Sequence, residues 1–414
     1  MARGARRRTA VIAACLVGLT TAATGCTATA KSNAPPSASS TSTARSSSQS
    51  ASPSSTSAPP PPPPTCAQTT FAALTPEQRA GQLIMVALQP GQQANVAALI
   101  ATSHVGSVFL LGGWDGGASS VQTAIAAVEQ SATAEATGAV KVWTAVDQEG
   151  GQVQQLKGPG FNPLPDARTQ AGLPLPELTT QAQGLGAQLK AAGIDINLAP
   201  VADVVPTSIG TGNGPIGKFN RQYGATAEQA TPPMLAFAAG MTAAGVLPTA
   251  KHFPGIGRIS QNTDDSAVGI TDNQLTAADP SLGTFKAAIA HGVPLMMVSS
   301  ALYPQLDPAN QAMFSPAIVS GLLRGTFGFG GVVLSDDVGA AKSVAAVPIG
   351  DRATRFVAAG GDVVLTAVPS QAPIMTAALL TDGASDPAFQ EKINASVLRV
   401  LTAKDRQKLL PCSA

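Results

Sequence analysis

Eight short, continuously apolar runs alternating with helical patterns predict a (β/α)8 barrel, and the polar residues that follow several of those runs predict where its chemistry lies. The runs are residues 82–87, 107–111, 141–146, 195–200, 246–251, 294–299, 331–335 and 362–366. Unbroken rather than alternating hydrophobicity suits strands buried on both faces. Helical patterns lie between them at 120–132, 178–192, 227–244, 282–290, 316–324 and 351–359. Residues beyond the roughly 250 that a minimal barrel needs go into inserted loops, and an open doubly wound sheet is the alternative architecture.

The chain of 414 residues starts with a segment that cannot belong to such a fold. Residues 1–65 hold six basic side chains, no Asp or Glu, and mostly Ser, Thr, Ala and Pro, a composition that buries no core. Arg3 and Arg6 to Arg8 followed by the apolar stretch 11–19 predict a secretion signal over 1–25, too short to span a membrane. Ala23-Thr24-Gly25-Cys26 is similar to the bacterial lipobox, which implies a lipidated Cys26 and a protein held at the outer face of the cytoplasmic membrane. Residues 26–65 then read as a disordered linker ending in the proline run 59–64, extended and fairly stiff. The barrel domain is expected over 66–414. Its first element is announced by Thr75-Pro76-Glu77-Gln78, with Thr75 as N-cap, Pro76 at the first helical position and Gln78 completing a capping box.

Residues 66–414 carry a net charge of −5 and no Lys/Arg run, which argues against a nucleic-acid partner. With 44% hydrophobic and 12% charged residues over the whole chain, the composition suits a large core. Cys15 leaves with the signal and Cys26 takes the lipid, so Cys66 and Cys412 remain as a pair at the two ends of the domain. A disulfide between them is expected for an exported chain, two free thiols being the alternative.

A barrel places its chemistry at the C-terminal ends of its strands. There the sequence has Asp147-Gln148-Glu149 after the third run, Asp203 after the fourth, Lys251-His252 at the end of the fifth, and Asp336-Asp337 after the seventh. Any one carboxylate in such a place can simply cap a helix, and Asp203 reads as structural. A Lys–His pair ending an apolar strand is costly to bury unpaired and is better explained by a rim facing a polar substrate. His104 and His291 have no partner nearby in sequence and receive no role. Three histidines without i, i+4 spacing give no zinc site, and no metal or organic cofactor is expected. Gly212-x-Gly214-x-x-Gly217 matches the dinucleotide pattern by letters only, since Pro215 and the lack of a strand-turn-helix context speak against it.

Lys251-His252-Phe253-Pro254-Gly255-Ile256-Gly257, the segment 331–337, Val146-Asp147-Gln148-Glu149-Gly150-Gly151 and the segment 358–365 together resemble glycoside hydrolase family 3, in particular its single-domain bacterial β-N-acetylglucosaminidases that trim cell-wall muropeptides. The resemblance implies the same barrel and a retaining, exo-acting release of terminal N-acetylglucosamine. It places Asp336 on the catalytic nucleophile and Asp147, Arg221, Lys251 and His252 on substrate-binding positions. Two departures stand out. Where the family carries Asp-Ser-His with the His as acid/base, this chain has Asp265-Ser266-Ala267 in a lengthened loop, so Asp264 or Asp265 is the expected stand-in, with a carboxyl pKa raised by burial or a neighbouring charge. Where the family tends to have Arg after the Asp147 motif, this chain has Gln152 and Gln155, which removes a bidentate donor. Only 78 residues follow Asp336, so the missing acid is expected from the barrel's own loops. A catalytically impaired sugar-binding lipoprotein, and a glycoside phosphorylase or transglycosylase, are the competing readings. The sequence leaves the oligomeric state open.

Overall fold

The computed structural model describes residues 63–413; the expected signal peptide, the lipidation position Cys26 and nearly all of the linker lie outside the described residues. Eight parallel strands follow one another around a barrel: β1 (Ile84–Leu88), β2 (Ser107–Leu110), β3 (Trp143–Val146), β4 (Ile196–Asn197), β5 (Leu247–Phe253), β6 (Leu295–Val298), β7 (Val332–Ser335) and β8 (Val364–Thr366). Each overlaps one of the eight apolar runs. β8 pairs with β1 through Ile84 and Val364, and β7 meets β8 through Leu334 and Val363, so the sheet closes and the open-sheet alternative fails. All eight strands are buried along nearly their whole length, the reason their hydrophobicity does not alternate.

The helices α1 (Gln93–Ser103), α2 (Gly117–Glu129), α3 (Leu175–Ala191), α4 (Ala227–Ala243), α5 (Gly283–Ala290), α6 (Ala317–Thr326), α7 (Ile349–Ala359) and α8 (Ala372–Ser385) follow the strands in turn. Several differ from expectation: α1 and α8 fall outside the six predicted patterns, and α3 starts at Leu175 rather than 178. α2 starts three residues before Ser120, at Gly117, whose φ of +77° suits glycine and whose N–H is bonded by the Lys157 carbonyl, while Thr133 instead caps the separate turn Ala134–Thr137. α6 is wound more widely than an α-helix, and at its end the Phe327 N–H reaches five residues back to Leu322. The capping box at Thr75 and Gln78 forms as predicted.

The C-terminal helix Pro387–Arg406 closes the barrel at the ends where strands begin. Buried Lys404 donates to the Gln82 side chain and to the carbonyls of Gly106 and Lys141, each directly before a strand or close to one. Gln407 bonds the Asp195 carbonyl before β4 and the Trp143 indole of β3. Cys66, which opens the first helix, is joined to Cys412 by a disulfide, so the expected pairing is present. The opposite end of the barrel is left to the long inserted segments after β3 (147–174), β4 (198–226) and β5 (254–282).

Candidate active site

The ends of β3, β5 and β7 and the inserted segments enclose a cavity of about 500 Å³. Every residue assigned from the sequence to binding or catalysis lines it: Asp147, Arg221, Lys251, His252, Asp264, Asp265 and Asp336. Phe109, Leu198, Met297 and Leu365 add apolar surface, so charged groups ring a partly apolar floor, the usual composition of a site for a sugar ring.

On one side, acids and bases alternate. Lys251, the fifth residue of β5, is fully buried and donates to Asp147 at 2.5 Å and to Glu149 at 2.7 Å. Arg221 grips the same Glu149 with two nitrogens, Nε at 2.9 Å and Nη2 at 2.7 Å, and gives Nη1 to the Pro215 carbonyl. Burial alone would push the Glu149 carboxyl up, but Arg221 and Lys251 overcome it and hold it at about 2. Burial likewise opposes the charge on Lys251, yet Asp147 and Glu149 lift its pKa above the ordinary value. Asp147 keeps part of its carboxylate toward the cavity. Sequence reasoning quoted Glu149 inside its motif without giving it a role; the need of two buried cations for a shared counter-ion was the signal that could have found it.

His252 follows with its Nδ1 2.7 Å from Asp203 Oδ2. Asp203, fully buried, also accepts from the backbone N–H groups of His252 and Ile256. Its contacts are therefore structural, as the sequence suggested, but what it builds is the turn that presents His252.

On the other side, carboxylates face one another. Asp336 is the first residue beyond β7, and its N–H still bonds the Val298 carbonyl at the end of β6, so it is fixed by barrel register. Asp337 turns away and accepts from the N–H groups of Gly339, Ala340 and Ala367, which ties the β7 loop to the end of β8. The segment 258–269 crosses above. Its Thr263 and Asp264 carbonyls accept from the N–H groups of Ser343 and Lys342, which docks it onto the loop that carries Asp336. Asp264 is exposed as a residue, but its carboxyl is crowded by that loop and is pushed up to about 6, first by burial and then by the charges of Asp336 and Asp337. Burial raises Asp336 above its ordinary value as well, outweighing the Lys251 ammonium beside it. Asp264 has Asp336 and Asp337 for neighbours. Two carboxyls on different loops of one cavity are the groups that a nucleophile and a proton donor require. Asp265 lies on the same cavity wall and approaches Asn262 Nδ2 at 3.4 Å.

Gln155 lines the cavity where the family tends toward Arg, and its Oε1 is engaged by the Gly112 N–H of the β2 loop. Ala267, which the resemblance alone sets against the family's acid/base His, is an exposed loop residue outside the cavity lining.

Comparison with known proteins agrees with this geometry. A β-N-acetylhexosaminidase structure from Beutenbergia cavernae superposes with a TM-score of 0.78 at 44% identity, covering 80% of this chain and 98% of that one. A family 3 β-N-acetylglucosaminidase from a Paenibacillus species gives 0.69 at 29% identity, covering 82% of this chain and 64% of that one. A β-hexosaminidase of Stenotrophomonas maltophilia is 36% identical over 233 residues, 54% of this chain, so that the chain spans 66% of that curated relative's length. The model of the glycosyl hydrolase family 3 N-terminal domain matches residues 75–403, which contain all eight strands and every residue of the cavity wall, and the chain belongs to that family.

Proposed function

We propose that the protein is a retaining exo-β-N-acetylglucosaminidase that releases terminal β-linked N-acetylglucosamine from cell-wall fragments, with Asp336 as nucleophile and Asp264 as acid/base. The observation that carries this reading is a pair of carboxyls from two loops in one cavity, Asp336 fixed at the end of β7 and Asp264, pushed up to about 6, on the segment docked above it. Asp336 attacks the anomeric carbon while Asp264 gives its proton to the departing glycosidic oxygen. Water then attacks the glycosyl ester from the side that the leaving sugar vacated; Asp264 takes its proton and Asp336 is released as carboxylate. Asp147 accepts from ring hydroxyls and is held in place by Lys251, which is itself fixed through the Glu149 it shares with Arg221. The names of the β-hexosaminidase relatives support an N-acetylhexosamine, and that of the Paenibacillus β-N-acetylglucosaminidase supports N-acetylglucosamine.

The protein is further proposed to be exported and anchored by lipid on Cys26, with 26–65 as spacer. The disulfide between Cys66 and Cys412 supports an oxidising compartment. Radiolabelled palmitate incorporated by the chain and lost in Cys26→Ser tests the anchor; label retained by that variant overturns it.

Hydrolysis of chitobiose and of a muropeptide disaccharide tests the activity. Cleavage of both, abolished in Asp336→Ala, is expected; binding of N-acetylglucosamine without cleavage of these disaccharides or of an activated aryl glycoside favours the impaired sugar-binding reading, which Ala267 in place of the family's His keeps open.

A further inference from the structure

The glycine-rich segment set aside as a false dinucleotide pattern lies against the loop that carries Asp264. Asn213, fully buried, donates both of its amide hydrogens into that loop, to the Ile256 and Ile259 carbonyls at 2.8 Å each. Its Oδ1 accepts from the N–H groups of Ile216 and Gly217 within its own segment. Gly214 touches the loop more closely still. A Cβ on Gly214 would lie 2.7 Å from the Ser260 carbonyl oxygen, 3.3 Å from the Asn262 N–H nitrogen and 3.3 Å from the Gln261 Cα, all backbone atoms that cannot rotate aside. Gly212, two residues away, has only the Ile209 side chain at 4.0 Å. From the far side the same loop is held by Lys342 and Ser343, and at its base Arg258 pairs with Asp272 at 2.8 Å and Asp279 at 2.7 Å.

We propose that the turn 210–217 is a cradle that sets the height of the Asp264 loop over Asp336, with Gly214 and Asn213 as positioning residues for proton transfer. The inference rests on Asp264 being the acid/base. Proton transfer in the transition state depends on hydrogen-bond reach, and a misplacement of about 1 Å costs on the order of 100-fold. An alanine methyl at 214 cannot coexist with the Ser260 carbonyl at 2.7 Å, so the loop must move outward, while Asp147, Glu149 and Lys251, which pair with one another and make no hydrogen bond to this turn, stay in place. The effect therefore falls on the step that needs the acid and not on sugar binding.

The test compares kcat/KM on chitobiose with kcat/KM on the 2,4-dinitrophenyl glycoside of N-acetylglucosamine, whose leaving group departs without protonation. Gly214→Ala is expected to lose about tenfold or more on chitobiose and less than about twofold on the activated glycoside, with Gly212→Ala unchanged on both. Asn213→Asp, which keeps the bonds to Ile216 and Gly217 but sets a carboxylate oxygen against the two loop carbonyls, is expected to show the same split and decides the matter if Gly214→Ala does not fold. Equal losses on both substrates, or none on either, in the deciding variant overturn the cradle. Asp264→Asn is run beside them. If it shows the split and the cradle variants do not, only the cradle fails; if Asp264→Asn itself shows no split, the assignment of the acid fails with it.

Discussion

The two walls of the cavity hold similar side chains and treat them oppositely. On the wall built by β3 and β5, Asp147 and Glu149 are matched by Lys251 and Arg221 within 2.9 Å. On the wall built by the β7 loop and the segment over it, Asp264 is crowded by Asp336 and by the charge of neighbouring Asp337, with His252 and Lys251 reaching only from the edge. Pairing fixes charge and removes it from titration; crowding like charges keeps a proton in play near neutral pH. One fold thus makes a rigid clamp and a proton reservoir a few residues apart, and the difference is who the neighbours are.

Removing the carboxyl fixed at the end of β7 has the largest effect. Asp336→Ala is expected to lower kcat on every glycoside by about ten-thousandfold or more, because no other carboxylate is fixed at the end of β7 to form the glycosyl ester. Residual turnover within tenfold of the parent would remove Asp336 from that role.

The proton-bearing member should show a divided response. Asp264→Asn is expected to cost about 100- to 10,000-fold in kcat/KM on a natural disaccharide and little on an activated aryl glycoside, with Asp265→Asn far milder on both. The reverse ranking of the two variants would move the acid to Asp265.

Breaking the clamp acts on stability as well as binding. Glu149→Gln leaves Lys251 with Asp147 alone and takes from Arg221 its carboxylate partner, and a loss of about 3 kcal/mol in denaturant unfolding is expected, together with a raised KM. An unfolding midpoint equal to that of the parent would show that water already compensates these cations.

The smallest effect sharpens the contrast through pH. A proton donor at about 6 predicts that kcat/KM on natural disaccharides falls as pH rises through about 6, and that the same limb is missing on activated glycosides, whose leaving group needs no proton. Because the folded protein holds this carboxyl above its ordinary 3.8, folding takes up a proton there, and stability contributed by the protonated form is lost as pH rises from about 4 through about 6. Asp264→Asn should accordingly melt higher than the parent at pH 7 and equally at pH 4. Glu149 runs the other way: held at about 2, it contributes stability above the ordinary carboxylate range and loses it as pH falls toward 2.

Much of this was legible in the chain. All eight strands fall on apolar runs because strands buried on both faces have no room for alternation, and the seven residues assigned to binding or catalysis meet because strand order in a parallel barrel sends successive C-termini to one rim. Glu149 was legible as a letter but not as a role, since its value comes from Arg221, 72 residues away, and Lys251, 102 residues away. Asn213 and Gly214 were read as an empty motif because their partners, Ile256, Ile259 and Ser260, are in another loop.

By itself the sequence determined the barrel, the rim on which the chemistry falls, the placing of Asp336 after the seventh strand and the absence of the usual histidine at Ala267. These follow from periodicity and strand order, which are local properties. Only the tertiary structure decided which carboxyls are buried and crowded together, which cations share Glu149, and what holds the Asp264 loop over the cavity. Charge interaction and hydrogen bonding depend on distances of a few ångströms between segments far apart in the chain, and those distances exist only once the barrel has closed.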